Sequence, residues 1–297
     1  MLDEGTFCTH VLSLRQLEAQ VPRSHGASSQ FDFEVFLENA PVFSLAELAL
    51  ARGGVDQRAA ARNQLKRHLK TGRVLAVARE IYARVPPGLD PERFVPDPFL
   101  VAFAACPRGV FAYHSALELL GAAHSVWSEH TLHARQRRSP VRVGSFRIRF
   151  LPTPKAIERR RAWNLGTRHV PRATRQLVVT GPERTLVEGL RRAELVGGLD
   201  ELLDSVAGLP LLDFDLLERL LAAYDEKSLW AATGWLAEKL TGSWSTPTRF
   251  LDRCRRHRPR QNHYLVRDSR GGKLVQSWRL IVPEHLLEDG GERASNR

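Results

Sequence analysis

Asn63, Lys66, Arg67 and Lys70 stand three and four residues apart in the run QRAAARNQLKRHLKTG. At about 100° per residue they fall on one side of a helix, with Ala59 and Ala60 beside them. Ala61, Leu65 and Leu69 fall on the other side as a stripe to be buried. Asn pairs with the adenine edge and Arg with guanine, and small neighbours let a helix approach a groove closely. Asn63 and Arg67 are therefore the expected base readers. Arg58, Arg62, Lys66, Lys70, Arg73 and Arg79 are the expected phosphate contacts.

Other groupings offer less. His114 and Ser115, with Glu118 a turn later, suggest a hydrolase, but no GxSxG nucleophile turn is present. His124, His130 and His133 with Glu129 match neither HExxH nor a zinc spacing. Asp200, Glu201, Asp204, Asp213 and Asp215 would suit a Mg²⁺-dependent nuclease if they converged on strands, but they fall on helix faces and in a loop. Nuclease chemistry is the best enzymatic alternative. The Gly-Gly pairs lack any phosphate-loop context. No catalytic residue, metal or cofactor is expected. Among the tryptophans, Trp163, flanked by Arg159–Arg161 and Arg168, is the one placed to stack on a base.

Three short helices and a hairpin must position the first group. FDFEVFLENA reads as a helix stopped by Pro41. Ser44 and Glu47 form a capping box for SLAELALA, which ends at Gly53–Gly54. The basic helix spans about Gln57–Thr71. RVLAVAREIYARV then alternates as two strands turning near Arg79–Glu80, with Arg73, Arg79 and Arg84 on the hairpin. Together these make a winged helix-turn-helix, in which the third helix enters the major groove. PPGLDPERFVPDP holds five prolines in thirteen residues and reads as a linker.

Beyond it, apolar helices (PFLVAFAACP, YHSALELLGA) alternate with strands (VWSEHTLHA, QLVVTG) and a hairpin around Gly144–Ser145. PERTLVEGLRRAEL starts a series of helices, and KLVQSWRLIVP closes as a strand pair with the VRDSRGG turn. The fold class is α+β: an N-terminal winged helix-turn-helix plus a larger C-terminal α+β domain, a small sheet with a helical bundle. The expected parts are an extension over 1–28, the winged domain over 29–86, a linker over 87–98, the second domain over 99–283 and a tail over 284–297.

The chain has 297 residues, 44 Lys+Arg and 33 Asp+Glu, a net charge of +11. Lys occupies only positions 66, 70, 155, 227, 239 and 273, so arginine, the better fork for phosphate, dominates. Residues 57–84 carry eight bases and one acid, and 134–175 carry thirteen and one. Residues 183–226 carry 11 acids and four Arg, and 249–279 carry ten bases and two Asp. Such segregation implies a directional field and a polyanionic partner. Arg135, Arg137, Arg138, Arg142, Arg147, Arg149, Arg159, Arg160 and Arg161 are expected to form a second basic surface for DNA, RNA or a protein partner. No apolar window is long enough for a membrane span. MLDEGTFCTH lacks a signal-peptide pattern, and three scattered cysteines argue against disulfides, so a cytoplasmic location is expected.

The run LKRHLKTGRVLAVAREIYARV resembles the winged helix of AbiEi-type antitoxins: Leu65-x3-Leu69, then Gly72-Arg73-Val74, then a wing ending in Tyr82. That family often has Gly where Glu80 stands. YHSALELLGA, VTGPERTLVEGLRR, GGLDELLD and WRLIVP follow in matching order, over about residues 31–283. The resemblance implies the antitoxin of a bacterial AbiE (type IV) toxin–antitoxin system. Such a protein represses its operon through the winged helix and counteracts a nucleotidyltransferase toxin, usually without a stable complex. It also implies no enzymatic activity. An alternative from the residues themselves is a protein-interaction module whose acidic helices over 183–226 hold the toxin directly.

Overall fold

The computed structural model describes residues 31–207, 209, 212–265 and 271–288. The expected extension over 1–28, and most of the expected tail and of the VRDSRGG turn, lie outside the described residues.

Asp32 caps α1 (Phe33–Asn39), its carboxylate accepting from the Glu34 and Val35 amides. These are among the N–H groups that a first turn leaves unpaired. Pro41 ends the helix, and the chain extends as β1 (Val42–Ser44). Ser44 then caps α2 (Leu45–Ala51), accepting from the Glu47 amide at 3.1 Å. Gly53 and Gly54 take φ of +117° and +149°, which side chains resist, and turn the chain into α3 (Arg58–Lys70). Ala61 and Leu65 pack α3 onto Phe36, Phe43, Leu48 and Val74. β2 (Val74–Ala78) and β3 (Ile81–Arg84) form the hairpin, and β1 pairs antiparallel with β3. This is a winged helix-turn-helix with a three-stranded sheet. The hairpin is legible in the sequence, whereas β1 is too short to show a period.

The second domain starts with α4 (Pro98–Ala105), β4 (Val110–Phe111), α5 (His114–Leu119) and β5 (Glu129–Ala134). β6 (Val141–Val143), β7 (Phe146–Pro152), α6 (Lys155–Arg159), β8 (Thr167–Arg172) and β9 (Arg175–Thr180) complete a mixed sheet of order β6-β7-β5-β4-β9-β8. The hairpin at Gly144–Ser145 is as expected. β4 and β8 are additions. β8, TRHVPR, is charged and contains a proline, which an edge strand tolerates.

A helical bundle follows: α7 (Pro182–Arg191), α8 (Leu199–Ala207), α9 (Phe214–Tyr224), α10 (Lys227–Lys239), α11 (Thr241–Trp244) and α12 (Thr248–His257). Its core holds Trp230, Trp235, Trp244 and Trp278. Gly234 on α10 leaves room for the Trp278 ring, which a Cβ there would overlap. β10 (His263–Tyr264), β11 (Lys273–Val275) and β12 (Leu280–Val282) form the small closing sheet, and α13 (His285–Glu288) follows. No helix among the described residues is long and apolar enough to cross a membrane.

The proline-rich segment reads as a tether, yet the two domains share a core. Val42, Ile81 and Ala83 pack against Phe99–Ala104 of α4. Buried Arg175 pairs with Glu47, the capping-box acid. Arg172 meets Asp97 at 2.7 Å, and the Thr174 hydroxyl donates to the Asn39 carbonyl at 2.6 Å. β1 is the reason: it gives the winged sheet an apolar face for α4 to cover.

Candidate nucleic-acid interface

The two turns after Arg62 give α3 its character. Asn63, Lys66, Arg67 and Lys70 are all exposed. Among the described residues no acid pairs with Lys66, Arg67, Lys70 or the wing residue Arg79. The helix itself is well anchored. The Arg52 guanidinium, just past α2, donates to the Gln64 side chain and lies over the Phe31 ring, locking the helix-turn-helix angle.

The wing turn reaches back to α3. Glu80 adopts φ of +59°, in the left-handed region that favours glycine. Its carbonyl accepts from the Leu45 amide at 2.9 Å, tying the turn to the start of α2. Its carboxylate accepts from Arg58 at 2.6 Å and Arg62 at 2.8 Å. The hydrogen bonds from Arg58 and then Arg62 hold the Glu80 carboxyl below its ordinary value of 4.5. Arg58 and Arg62, expected as free phosphate contacts, are thus engaged by the wing. Arg73 is engaged too, with Glu34 at 2.7 Å. The uncommitted cationic face is shorter than the sequence suggests, and is centred on Lys66, Arg67 and Lys70.

The second basic strip divides into three. Arg138 and Arg142 border a cleft of about 790 Å³ between the domains, with Arg79 and Glu80 of the wing turn on its other wall. Arg138 also donates to the Ala105 carbonyl at 2.7 Å. Arg147 and Arg149 lie near Glu129 of the neighbouring strand, at 3.8 and 2.7 Å. Arg135, Arg160 and Arg161 belong near Trp163, with the Arg135 guanidinium 4.3 Å from its ring centre, while Arg159 ends α6. Arg137 is exposed. Arg219 of α9 joins this last group. No signal in its sequence neighbourhood marks it, because only the fold brings α9 beside residues 160–166.

The enzymatic groupings do not assemble as their chemistry requires. The Ser115 hydroxyl is buried and accepts from the Thr131 amide at 2.8 Å, a structural bond to β5. His114 Nε2 faces both Ser125 Oγ (3.5 Å) and Glu201 (3.6 Å). A relay needs the acid and the nucleophile on opposite ring nitrogens. His133 bonds Glu188, His130 packs between Phe99 and Phe146, and Glu129 serves Arg149. Among the described residues no three metal-ligating side chains converge. Asp213 caps α9 and Asp215 pairs with Arg249, so these acids are spent on the fold.

Scans against protein-family models and curated proteins find no match to the chain. Among solved structures, the fold is similar to the crystal structure of the RV2827C protein from Mycobacterium tuberculosis. The similarity covers 83% of this chain and 88% of that one, with a TM-score of 0.54 and 19% identity. That likeness establishes a shared α+β fold across both domains.

Proposed function

We propose that this chain is a sequence-specific DNA-binding repressor of its own operon, and the antitoxin to a nucleotidyltransferase toxin encoded beside it. The observation that carries the DNA-binding part is the exposed Asn63, Lys66, Arg67, Lys70 face of α3, which no acid of the described residues neutralises. A buried apolar stripe anchors it on one side and the wing on another. Asn63 and Arg67 read base edges in the major groove, while Lys66, Lys70 and Arg79 hold phosphates. The antitoxin part rests on the sequence resemblance to AbiEi-type antitoxins.

The test is binding of the full chain to the DNA upstream of its own gene, compared with random duplex of equal length. Specific binding weakened by Arg67→Ala, with one base position relaxed, supports the reading. Equal affinity for both duplexes rejects it. Rescue of cells expressing the neighbouring toxin tests the antitoxin part separately. A genome with no nucleotidyltransferase gene beside this one would remove it.

A further inference from the structure

A second recess, of about 780 Å³, lies in the C-terminal domain, away from α3 and the wing. Arg160, Arg161, Trp163, Asn164, Leu216 and Arg219 line it. Its cations are largely uncommitted: among the described residues Arg161 and Arg219 pair with no acid. Arg160 lies 3.6 Å from Asp225, both well exposed, so that pair is weak.

Trp163 differs from the tryptophans of the core. Trp230, Trp235, Trp244 and Trp278 are buried, and Trp278 donates to Glu238 at 2.6 Å. Trp163 is half-buried, and its indole N–H finds no acceptor among the described residues. It carries the Arg135 guanidinium over its ring, an aromatic–cation platform.

The loop bearing this platform is held from beneath by buried charge. Arg184 on α7 donates to the Trp163 and Leu165 carbonyls at 2.9 and 3.1 Å, and to Glu188 at 2.9 Å. Glu188 also accepts from the Tyr224 hydroxyl at 2.5 Å and meets His133 at 2.8 Å. Gly166 closes the loop at φ +65°, where an added Cβ would stand 3.1 Å from Arg184 Cβ. The loop is rigid below and open above, which suits a preorganised binding surface.

We propose that this recess binds an unpaired stretch of nucleic acid. One base stacks on Trp163 and Arg135, and the flanking phosphates lie on Arg161 and Arg219. A duplex offers no free base face, whereas a single strand gains from both stacking and charge. The inference is separate from operator recognition by α3 and does not depend on it.

The test uses the full chain and labelled strands of about 12 nucleotides, within the span single-strand sites take, as RNA, as DNA of the same sequence and as blunt duplex. Trp163→Ala is expected to weaken single-strand binding by roughly 5- to 150-fold, the range for losing one stacked base. Trp163→Phe retains most of it. The double variant Arg161→Glu/Arg219→Glu, which touches only exposed groups, abolishes it and carries the test should Trp163→Ala fail to fold. None of the three changes affinity for the operator duplex, which Arg67→Ala does weaken. RNA bound more tightly than DNA brings the 2′-hydroxyl into the contact, and equal affinities leave stacking and phosphate as the whole of it. Both uphold the proposal. Single-strand binding unchanged in the folded variants, or lost in equal measure on duplex, overturns it and leaves the α3 reading intact.

Discussion

Helices α3 and α12 are both basic and amphipathic, yet they present opposite surfaces. On α12, Phe250 and Cys254 face the core, while Arg249, Arg253 and Arg255 meet Asp215, Glu218 and Glu238 at 3.0, 3.2 and 2.5 Å. On α3, Glu80 engages the first turn, and beyond it Lys66, Arg67 and Lys70 meet no acid of the described residues. The basic block over 249–279 and the acidic block over 183–226 partly cancel in space. The block over 57–84 has no such counterpart. A run of like charge in a sequence therefore signals a polyanion surface only where the fold brings no opposing run against it.

The largest expected effect lies at the fully paired extreme, where Arg184 and Glu188 are both about 1% exposed or less. Removing one member of a buried ionic network leaves the other uncompensated. Glu188→Ala is therefore expected to destabilise the protein by about 3–5 kcal/mol in denaturant unfolding. Burial pushes the Glu188 carboxyl up, but His133, Arg184 and the hydrogen bond from Tyr224 outweigh it and lower the pKa from 4.5 to about 2. A depressed carboxyl pKa contributes stability that is complete above its unfolded value. That contribution should fade as pH falls from 4.5 toward about 2. An acid titration that shows the same loss in Glu188→Gln as in wild type would assign the acid sensitivity elsewhere.

The extent of this network was not legible beforehand. Arg184 and Glu188 stand four apart, a spacing that usually means an exposed pair on a helix. PERTLVEGLRR looks amphipathic, yet Pro182–Leu190 are buried on every side, because the sheet, α9 and α10 surround α7. The face of α3, the Ser44–Glu47 box and the wing hairpin were legible, since local periodicity and capping chemistry fix them. β1, β4 and the charged β8 were not, because two or three residues, or a strand with proline, carry no alternation. The Glu80 clamp joins residues 22 and 18 positions apart. Pairing at that range depends on how the wing folds back, and no sequence pattern encodes it.

Substitutions on the two helices sharpen the contrast at smaller cost. Arg67→Ala should weaken operator binding by about 1–3 kcal/mol and relax one base position. Lys70→Ala should weaken every duplex evenly and flatten the salt dependence by about one unit of slope. Arg253→Ala, which removes an equal charge from α12, should leave DNA binding unchanged and cost stability at most about 1 kcal/mol, as half-exposed ion pairs do. Titrations of the three variants against operator and random duplex at several salt concentrations separate these outcomes. A loss of DNA affinity in Arg253→Ala matching that in Lys70→Ala would erase the distinction between the helices.

Glu80 is the acid on which the contrast turns, and Glu80→Gln sets the smallest and most discriminating effect. The amide keeps the turn's shape but no longer neutralises Arg58 and Arg62, which then become available to phosphate. Binding to random and operator duplex should tighten together, and the slope of log K against log salt should steepen by about 1 to 2 as the freed cations release further counterions. Specificity, the ratio of the two affinities, should stay level or fall, because phosphate contacts carry no sequence information. Glu80→Gly would go further, relieving the +59° φ while also removing the carboxylate. The difference between the Gln and Gly variants isolates backbone strain from charge. Should Glu80→Gln leave the salt slope unchanged, Arg58 and Arg62 do not face the duplex, and the interface narrows to Lys66, Arg67, Lys70 and Arg79.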